Sequence, residues 1–392
     1  MESGQEEKGI YHGGGHTMGQ PQMNSRYVAL LGQRDSPTDA VEEYCRYLST
    51  ALLENGIKLE IARVRWAEKG WKEALAELRT SADQDPNTWF LIQYTALAWS
   101  RRGFSWRVLR VIRLLKKSGA RVAAVFHDVE PYSGKRIVDQ FRRNVQLNTM
   151  RGAVRLCDVS IFTVPVKKIP WIAGLTAKTA FVPVGANLPA PERAWTSEAT
   201  EPGKPPTVGI FAVSSGRLAE DEAKLTADIF SHVTEKLGGV RLAVMGRNSA
   251  ASEQVLREKL KGIPVEVVVH GMLSGEEVVD VLGSCDAMLF LRGPISSRRG
   301  SAIAGIACGL PVIAREGGET AAPVTEAGVV LLPAMASEEF GPALLRVLED
   351  QTYRSELAQR SRNAQRQYFC WQAIAASYAK ILQQPDGGKT EN

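Results

Sequence analysis

The sequence predicts an α/β protein of two Rossmann-like domains, and three observations support this prediction. Short apolar segments of strand length alternate with segments of helical periodicity along most of the 392 residues. Five prolines then interrupt the alternation between Leu188 and Pro206, and the alternation restarts at Thr207. Each half is long enough to enclose its own core. The predicted organisation is a disordered tail at 1–25, a first domain at 26–187, a linker at 188–206, a second domain at 207–385 and a disordered tail at 386–392.

The first domain opens with the strand–helix–strand order of a Rossmann-like half. A strand at 27–32 precedes a turn in which Thr38 or Asp39 is positioned to cap the next helix. The turn has no G-x-G-x-x-G, which disfavours a nicotinamide cofactor. Further strands are predicted at 58–64, 88–94, 120–128, 159–163 and 179–184.

The second domain repeats the alternation, which indicates a second mostly parallel sheet. Helices at about 337–350 and 353–382 are predicted to follow its last strand. The strands are predicted at 207–213, 240–246, 265–271, 287–291, 312–314 and 328–332.

The composition excludes several classes of protein. The chain is 44% hydrophobic and 23% charged, as is usual for a globular domain. Its five cysteines form no C-x-x-C pair, which argues against a disulfide framework or a zinc site and favours a reducing compartment. No signal-peptide pattern and no apolar run of about 18 residues is visible, so we expect a cytoplasmic protein.

The positive charge is concentrated in the first half. Residues 26–187 carry 26 Lys and Arg against 15 Asp and Glu, which favours an anionic partner. A helix-like run from Trp99 to Lys117, basic between Arg101 and Lys117, fits peripheral contact with the inner face of an anionic membrane. The alternative is an ordinary surface helix with a basic face. Nucleic acid is disfavoured because the aromatic residues do not form a stacking platform.

A ligand site is predicted at the start of a short helix of small and apolar residues. Arg298 and Arg299 come directly before the helix, and the backbone N–H groups of Gly300 and Ser301 lie in its first turn. Two guanidinium groups and free N–H groups at a helix N-terminus are suited to a diphosphate. The helix ends at Gly309, and a brief strand and a glycine loop follow. Ligands bind at the carboxyl ends of such strands.

The stretch Ala-Cys-Gly-Leu-Pro-Val-Ile-Ala at 307–314, with the Gly-Gly loop after it, resembles the donor-site core of family 4 (group 1) glycosyltransferases of the GT-B fold. The resemblance implies two Rossmann-like domains facing a central cleft, with C-terminal helices closing back. It also implies metal-independent, retaining transfer of a hexose from a nucleotide diphosphate-sugar, with no further cofactor. The acceptor would be a sugar or a lipid-linked sugar, in bacterial surface polysaccharide synthesis. Two glutamates of the family are replaced here by Ser296 and Ala304.

The resemblance also assigns roles to residues outside this helix. Arg217 follows the first strand of the second domain, where the family has a Gly-Arg pair that binds the diphosphate; Glu222 stands where the family has a lysine. His127, at the end of a first-domain strand, matches a histidine that contacts the transferred sugar, and we group Asp128 with it as catalytic. Residues 270–273 resemble the segment beside the nucleotide base.

Two loops complete the predicted site. Arg34 and Asp35 lie where the family has its acceptor-side loop, although a helix-capping turn explains them equally well. The second loop is predicted to contact the donor sugar, with one of its glutamates replacing a missing family glutamate. Its residues are Glu316, Gly317, Gly318 and Glu319.

Two alternatives stay open at this point. The loss of both family glutamates favours a catalytically inactive GT-B protein that acts as a partner or regulator. A nucleotide-sugar epimerase or hydrolase on the same fold would need a carboxylate beside the anomeric carbon, and the sequence nominates none clearly.

Overall fold

The chain forms two separate parallel sheets with helices on both faces. In the computed structural model the described residues are 25–36, 38–85, 87–190 and 204–383. The predicted tail at 386–392, nearly all of the tail at 1–25 and most of the linker at 188–206 therefore lie outside the described residues.

The first sheet has six parallel strands in the order β2-β1-β3-β4-β5-β6. Strand β3 is buried along its whole length, as expected for a strand covered on both faces. The Asp39 side chain caps α1 by accepting a hydrogen bond from the N–H of Glu42 at 3.1 Å. The elements are β1 (Tyr27–Leu31), α1 (Ala40–Leu53), β2 (Leu59–Arg63), α2 (Trp66–Lys69), α3 (Trp71–Asp83), β3 (Trp89–Tyr94), α4 (Val108–Lys117), β4 (Arg121–Phe126), α5 (Ile137–Leu156), β5 (Val159–Phe162) and β6 (Thr179–Phe181).

The second sheet also has six parallel strands, in the order β12-β11-β10-β7-β8-β9. Strand β10 is longer than predicted and reaches Pro294. The elements are β7 (Thr207–Phe211), α6 (Arg217–Leu237), β8 (Val240–Met245), α7 (Ser249–Lys259), β9 (Val265–Gly271), α8 (Gly275–Gly283), β10 (Ala287–Pro294), α9 (Gly300–Ala307), β11 (Val312–Arg315), β12 (Val329–Leu332), α10 (Phe340–Glu349), α11 (Gln351–Ala364) and α12 (Trp371–Gln383).

The C-terminal end of the chain returns to the first domain. The predicted single helix at 353–382 is wrong, because a π-helical turn at Gln365–Phe369 and an extended Cys370 separate α11 from α12. This break lets α12 pack on α1, where the hydroxyls of Tyr44 and Tyr378 lie 3.0 Å apart. Trp371, at the start of α12, stacks on Tyr47 with ring centroids 5.3 Å apart.

The basic run predicted as a helix from Trp99 to Lys117 is α-helical only in its second half, from Val108 onward. Trp99 is fully buried, and its indole N–H donates to the carbonyl of Gln93 at 2.9 Å, which holds it in a turn. A 3-10 turn at Ser105–Arg107 then leads into α4. The apolar face of α4 is buried in the first-domain core. Among the described residues, no helix is both long and apolar enough to cross a bilayer.

Candidate functional site

A cavity of about 680 Å³ lies between the two domains, at the carboxyl ends of the second-domain strands. Its volume is in the range of small-molecule sites, and its position is the one at which open α/β sheets bind ligands. The first domain contributes one wall, mainly from α1 with Glu43, Arg46 and Tyr47. The second domain contributes residues at the ends of its strands and in α9, including Phe211, Gly246, Arg247, Met272, Leu273, Arg292, Arg298, Arg299, Gly300, Ser301 and Ala304.

Polar contacts between the domains hold the cavity walls together. The Arg247 guanidinium donates to the Asp35 carboxylate at 3.2 Å and to the carbonyl of Thr38 at 2.8 Å. The Ser297 hydroxyl donates to the carbonyl of Thr163 at 2.7 Å. The predicted acceptor-side residue Asp35 is therefore part of a domain contact as well as of the loop before α1.

Two arginines that line the cavity, Arg292 and Arg299, have an unsatisfied hydrogen-bond donor. The Nε atoms of Arg292 and Arg299 are buried and make no hydrogen bond to any described residue. Burial and the nearby charges of Arg298 and Arg292 lower the pKa of Arg299, as expected for cations held close together. Buried unpaired donors are costly, so this pair is poised for an anionic ligand.

The N-terminus of α9 opens into the same cavity. Gly300 and Ser301 both line it, and no side chain caps the helix. The first N–H groups of a helix have no partner within the helix, and they carry the positive end of its dipole. Arg299 and these N–H groups, which the sequence predicts to act together, thus lie in the same cavity.

Arg298, by contrast, is already neutralised by a carboxylate. Its Nε and Nη2 donate to the two oxygens of Glu319 at 2.7 and 2.9 Å. Burial acts to lower the pKa of Arg298, but the hydrogen bonds and the attraction of Glu319 outweigh it, and the pKa is raised. The Ser296 hydroxyl donates to the same carboxylate at 3.0 Å. Glu319 therefore places a carboxylate next to Ser296, the position at which the family that this sequence resembles has a glutamate.

None of the four residues of the predicted donor-sugar loop, Glu316 to Glu319, is part of the cavity lining. The N–H of Gly317 donates to the Thr320 hydroxyl at 2.9 Å, so it is used within the loop. A Cβ at Gly317 would approach Pro294 to 2.5 Å, which explains the glycine by packing. Glu316 and Gly318 are exposed. Their contact with the donor sugar stays a prediction.

His127 and Asp128 directly follow β4 and are not among the residues that line the cavity. The Nε2 of His127 is 2.8 Å from Oε1 of Gln93, whose Nε2 donates to the carbonyl of Leu91. This arrangement assigns the imidazole proton to Nε2. Burial lowers the pKa of His127 from 6.5 to about 4, so the ring is neutral at pH 7. Burial raises the pKa of Asp128, and its carboxylate accepts from the N–H of Ala96 at 2.9 Å.

The neutral imidazole of His127 predicts a pH dependence of stability. Between about pH 6.5 and 4 the unfolded chain takes up a proton at this residue and the folded chain does not. The free energy of unfolding should therefore fall as the pH falls through this window, and the slope should be smaller in His127→Gln. Urea unfolding at a series of pH values measures it; equal slopes in the two proteins would contradict the assigned environment.

Two arginines predicted from the sequence are outside the cavity. Arg217 is exposed in the first turn of α6, and Glu222 of the same helix accepts from the N–H of Ser214 at 2.9 Å. Glu222, in the position of the family's lysine, thus stabilises the loop before α6. Arg34 is also exposed, 3.6 Å from the Glu42 carboxylate. Diphosphate binding by Arg217 stays a prediction.

Arg292 and Glu43 are cavity residues that sequence reasoning missed. Arg292 directly follows the strand predicted at 287–291, so a search for charged residues at the carboxyl end of each strand finds it. Glu43 belongs to α1 of the first domain, and no pattern in the sequence predicts that α1 lines a cavity formed mainly by the second domain. Among the described residues, no three His, Cys, Asp or Glu side chains cluster as a metal site would require.

The comparisons with known proteins agree with this architecture. Residues 210–350 match the sequence model of the family described as glycosyl transferases group 1. Sucrose-phosphate synthase from Thermosynechococcus elongatus is 17% identical, with a TM-score of 0.63 over 92% of this chain and 99% of that one. HepE from Anabaena, solved with UDP, is 14% identical, with a TM-score of 0.60 over 91% and 99%. A glycosyltransferase from Rickettsia africae is 11% identical, with a TM-score of 0.64 over 92% and 98%. No curated protein sequence compared with the chain is significantly similar to it.

These likenesses show the fold. The predicted GT-B architecture of two Rossmann-like domains with closing C-terminal helices is confirmed. The family match covers most of the second domain, which contains Arg292, Arg299 and the start of α9.

Proposed function

We propose that the protein is a glycosyltransferase whose interdomain cavity binds a nucleotide diphosphate-sugar. The observation that carries the proposal is that Arg292 and Arg299 line the cavity beside the uncapped start of α9, each with a buried Nε that makes no hydrogen bond. The diphosphate of a nucleotide sugar, which links the nucleoside to the sugar, carries about two negative charges, which two arginines balance. The match of residues 210–350 to group 1 glycosyltransferases supports the same class of ligand.

The same groups supply what the reaction needs. When the bond between the donor sugar and the diphosphate breaks, negative charge develops on the departing nucleoside diphosphate. Arg292, Arg299 and the N–H groups of Gly300 and Ser301 are in place before this happens, so no reorganisation is required. Removing one such donor typically costs about 3 kcal/mol of transition-state stabilisation. The arginines provide this charge from the chain itself, and we propose transfer that is independent of metal and of any further cofactor.

The remainder of the cavity suits the nucleoside. Phe211, Met272 and Leu273 line the cavity and offer apolar contact for the base. Met272 and Leu273 belong to the segment at 270–273 that resembles the base-side segment of the family. Glu43 is the one carboxylate among the described lining residues, and it faces the cavity in which Ala304 replaces a family glutamate. We assign to Glu43 the contact with the ribose hydroxyls. HepE was solved with UDP and with UDP-glucose, so uridine is the first base to test.

The finer assignments extend this proposal by resemblance. They are family 4 membership, retention at the anomeric carbon, transfer of a hexose to a sugar or lipid-linked acceptor, and a role in bacterial surface polysaccharide synthesis. From the cysteine pattern and the basic run at 101–117 we also propose a cytoplasmic protein with peripheral contact at an anionic membrane. The shape of the cavity supports the donor class, and the acceptor is proposed from the family alone.

A catalytically inactive GT-B protein is the second candidate, and one observation favours it. Arg298 forms an ion pair with Glu319. Ala304, which lines the cavity, has no polar group that could bind a hydroxyl of the sugar or the ribose. On this alternative the cavity binds a nucleotide, but no sugar is transferred.

Release of nucleoside diphosphate from a panel of nucleotide sugars separates the two candidates. We expect slow release from one base series without acceptor, because water replaces the acceptor, and faster release with a saccharide acceptor. Arg299→Met should reduce the rate by about two orders of magnitude. Binding of a nucleotide without any release would support the inactive protein. Absence of both binding and release would contradict the proposal.

A further inference from the structure

A group of large apolar side chains is exposed on the first domain, beside the cleft. Ile137 is 86% exposed, Phe141 62%, Val138 48%, Tyr132 46% and Trp106 43%. Ile137 and Phe141 are four residues apart on α5 and therefore share one face of the helix. Tyr132 comes from the loop before α5. We call these five residues the apolar surface of the first domain.

Ring contacts join the members of the apolar surface. The Arg142 guanidinium lies over the rings of Tyr132 and Phe104, at 4.6 and 5.5 Å from their centroids. Phe104 in turn contacts the ring of Phe141 at 5.8 Å. Trp106 follows Phe104 by two residues. Tyr132 before α5 and Phe141 on α5 are thus linked through Arg142 and Phe104, whereas the Trp106 ring is covered by Arg107 and Arg110.

The rim of this surface is strongly basic. Residues 101–110, which include Phe104 and Trp106, contain four Arg and no acidic residue. Asp139, the one acid in residues 131–143, is buried and accepts hydrogen bonds from the N–H of Arg136 and from Arg142, both at 3.2 Å. Further exposed cations flank the apolar side chains at Arg107, Arg110, Lys135, Arg136 and Arg143.

The chemistry of the surface selects an anionic phospholipid bilayer as its partner. Aliphatic and aromatic side chains surrounded by cations are typical of elements that lie in the membrane interface. Ile137 and Val138 offer neither hydrogen bonds nor stacking to a nucleic acid or an acidic polysaccharide. We propose that the apolar surface docks the protein on an anionic bilayer, with Ile137 and Phe141 entering the headgroup region. The sequence pointed to α4 for this contact, but the apolar face of α4 is buried.

The apolar surface is connected to the cleft by the loop between β4 and α5. Glu130, two residues before Tyr132, is close enough to Arg298 and Arg299 for its negative charge to act on both, although burial and the neighbouring arginines still leave the pKa of Arg299 lowered. The loop between β4 and α5 therefore runs from the cleft to the apolar surface. A docked protein would hold the cleft next to the bilayer, which suits a lipid-linked acceptor. This acceptor class rests on the proposed function, whereas the bilayer contact itself does not.

Co-sedimentation with lipid vesicles tests the bilayer contact. The full chain should bind vesicles of phosphatidylcholine mixed with phosphatidylglycerol, bind pure phosphatidylcholine weakly, and bind less as salt rises. Ile137→Glu/Phe141→Glu should lower the vesicle-bound fraction at least about tenfold, because two apolar contacts become repulsive charges. Lys135→Glu/Arg143→Glu should reduce the preference for the anionic vesicles.

Met335→Glu is the matched control, since Met335 is 91% exposed and lies in the second domain. It should bind vesicles as the wild type does. Stabilisation by nucleoside diphosphate, measured by melting, should be unchanged in all these variants, so loss of vesicle binding and loss of nucleotide binding are separate results. A wild type that does not bind anionic vesicles overturns the inference. So does Ile137→Glu/Phe141→Glu binding as tightly as the wild type, whatever the nucleotide result.

Discussion

Replacing Arg292 and Arg299 together by methionine is expected to stabilise the unliganded protein and to abolish its stabilisation by nucleoside diphosphates. Each Nε is buried without a partner, and a buried unsatisfied polar group costs about 1–3 kcal/mol. Methionine removes this cost and keeps an apolar side chain of similar length in the wall of the cavity. The unliganded variant should therefore melt at a higher temperature than the wild type.

The rise in melting temperature that a nucleoside diphosphate causes should, by contrast, be lost in the double variant. A ligand at one hundred times its Kd stabilises the native state by about 2.7 kcal/mol. Each charge-assisted contact contributes about 1.5–3 kcal/mol, so losing both arginines should eliminate the shift. Arg257→Met on α7, where the guanidinium is exposed and pairs with Glu253, is the control and should alter neither melting temperature. A destabilised double methionine variant that still responds to nucleotide would contradict the assigned site.

Glu319→Gln is expected to give a large loss of stability. The substitution leaves the Arg298 cation, whose side chain is only 15% exposed, without the carboxylate to which it is hydrogen-bonded. Removing one partner of a buried ion pair typically costs about 3–5 kcal/mol. Arg298→Met/Glu319→Met removes both charges and should recover most of this loss, because replacing a buried pair by apolar residues is often neutral.

An exposed pair with the same bidentate geometry provides the control for Glu319→Gln. Arg241 donates to Glu266 through two bonds of 3.0 Å, but both side chains are about half exposed. Glu266→Gln should therefore cost less than about 1 kcal/mol. Urea unfolding followed by tryptophan fluorescence compares the four proteins. Equal losses for Glu319→Gln and Glu266→Gln would mean that burial of the Arg298–Glu319 pair has no energetic consequence.

The fold was predictable because its elements are set by local patterns. The apolar segment of β3 and the helical spacing of α1 are readable without tertiary information. The break at Cys370 was not, because residues 365–369 contain neither proline nor glycine. The break becomes explicable only once Trp371 is seen stacked on Tyr47 of the first domain. Packing between distant segments therefore decides where this helix ends.

The site was predictable only in part, for a similar reason. Arg299, Gly300 and Ser301 lie next to one another in the chain, so their spacing alone indicates an anion site. The bond between Arg298 and Glu319 spans 21 residues and depends on how the loop after β11 folds back. Neighbouring arginines thus differ in role, one paired within the protein and the other open to a ligand. Sequence spacing does not distinguish them.

Calorimetric titration with a nucleoside diphosphate and its monophosphate, in the wild type and in Arg292→Met/Arg299→Met, tests the central claim most directly. UDP and UMP are the first pair to use. The wild type should bind the diphosphate at least about tenfold more tightly, because the second phosphate gains the charge-assisted contacts. The difference should vanish in the double variant. Equal affinities for the two nucleotides in the wild type, or an unchanged difference in the variant, would contradict a diphosphate site built on these two arginines.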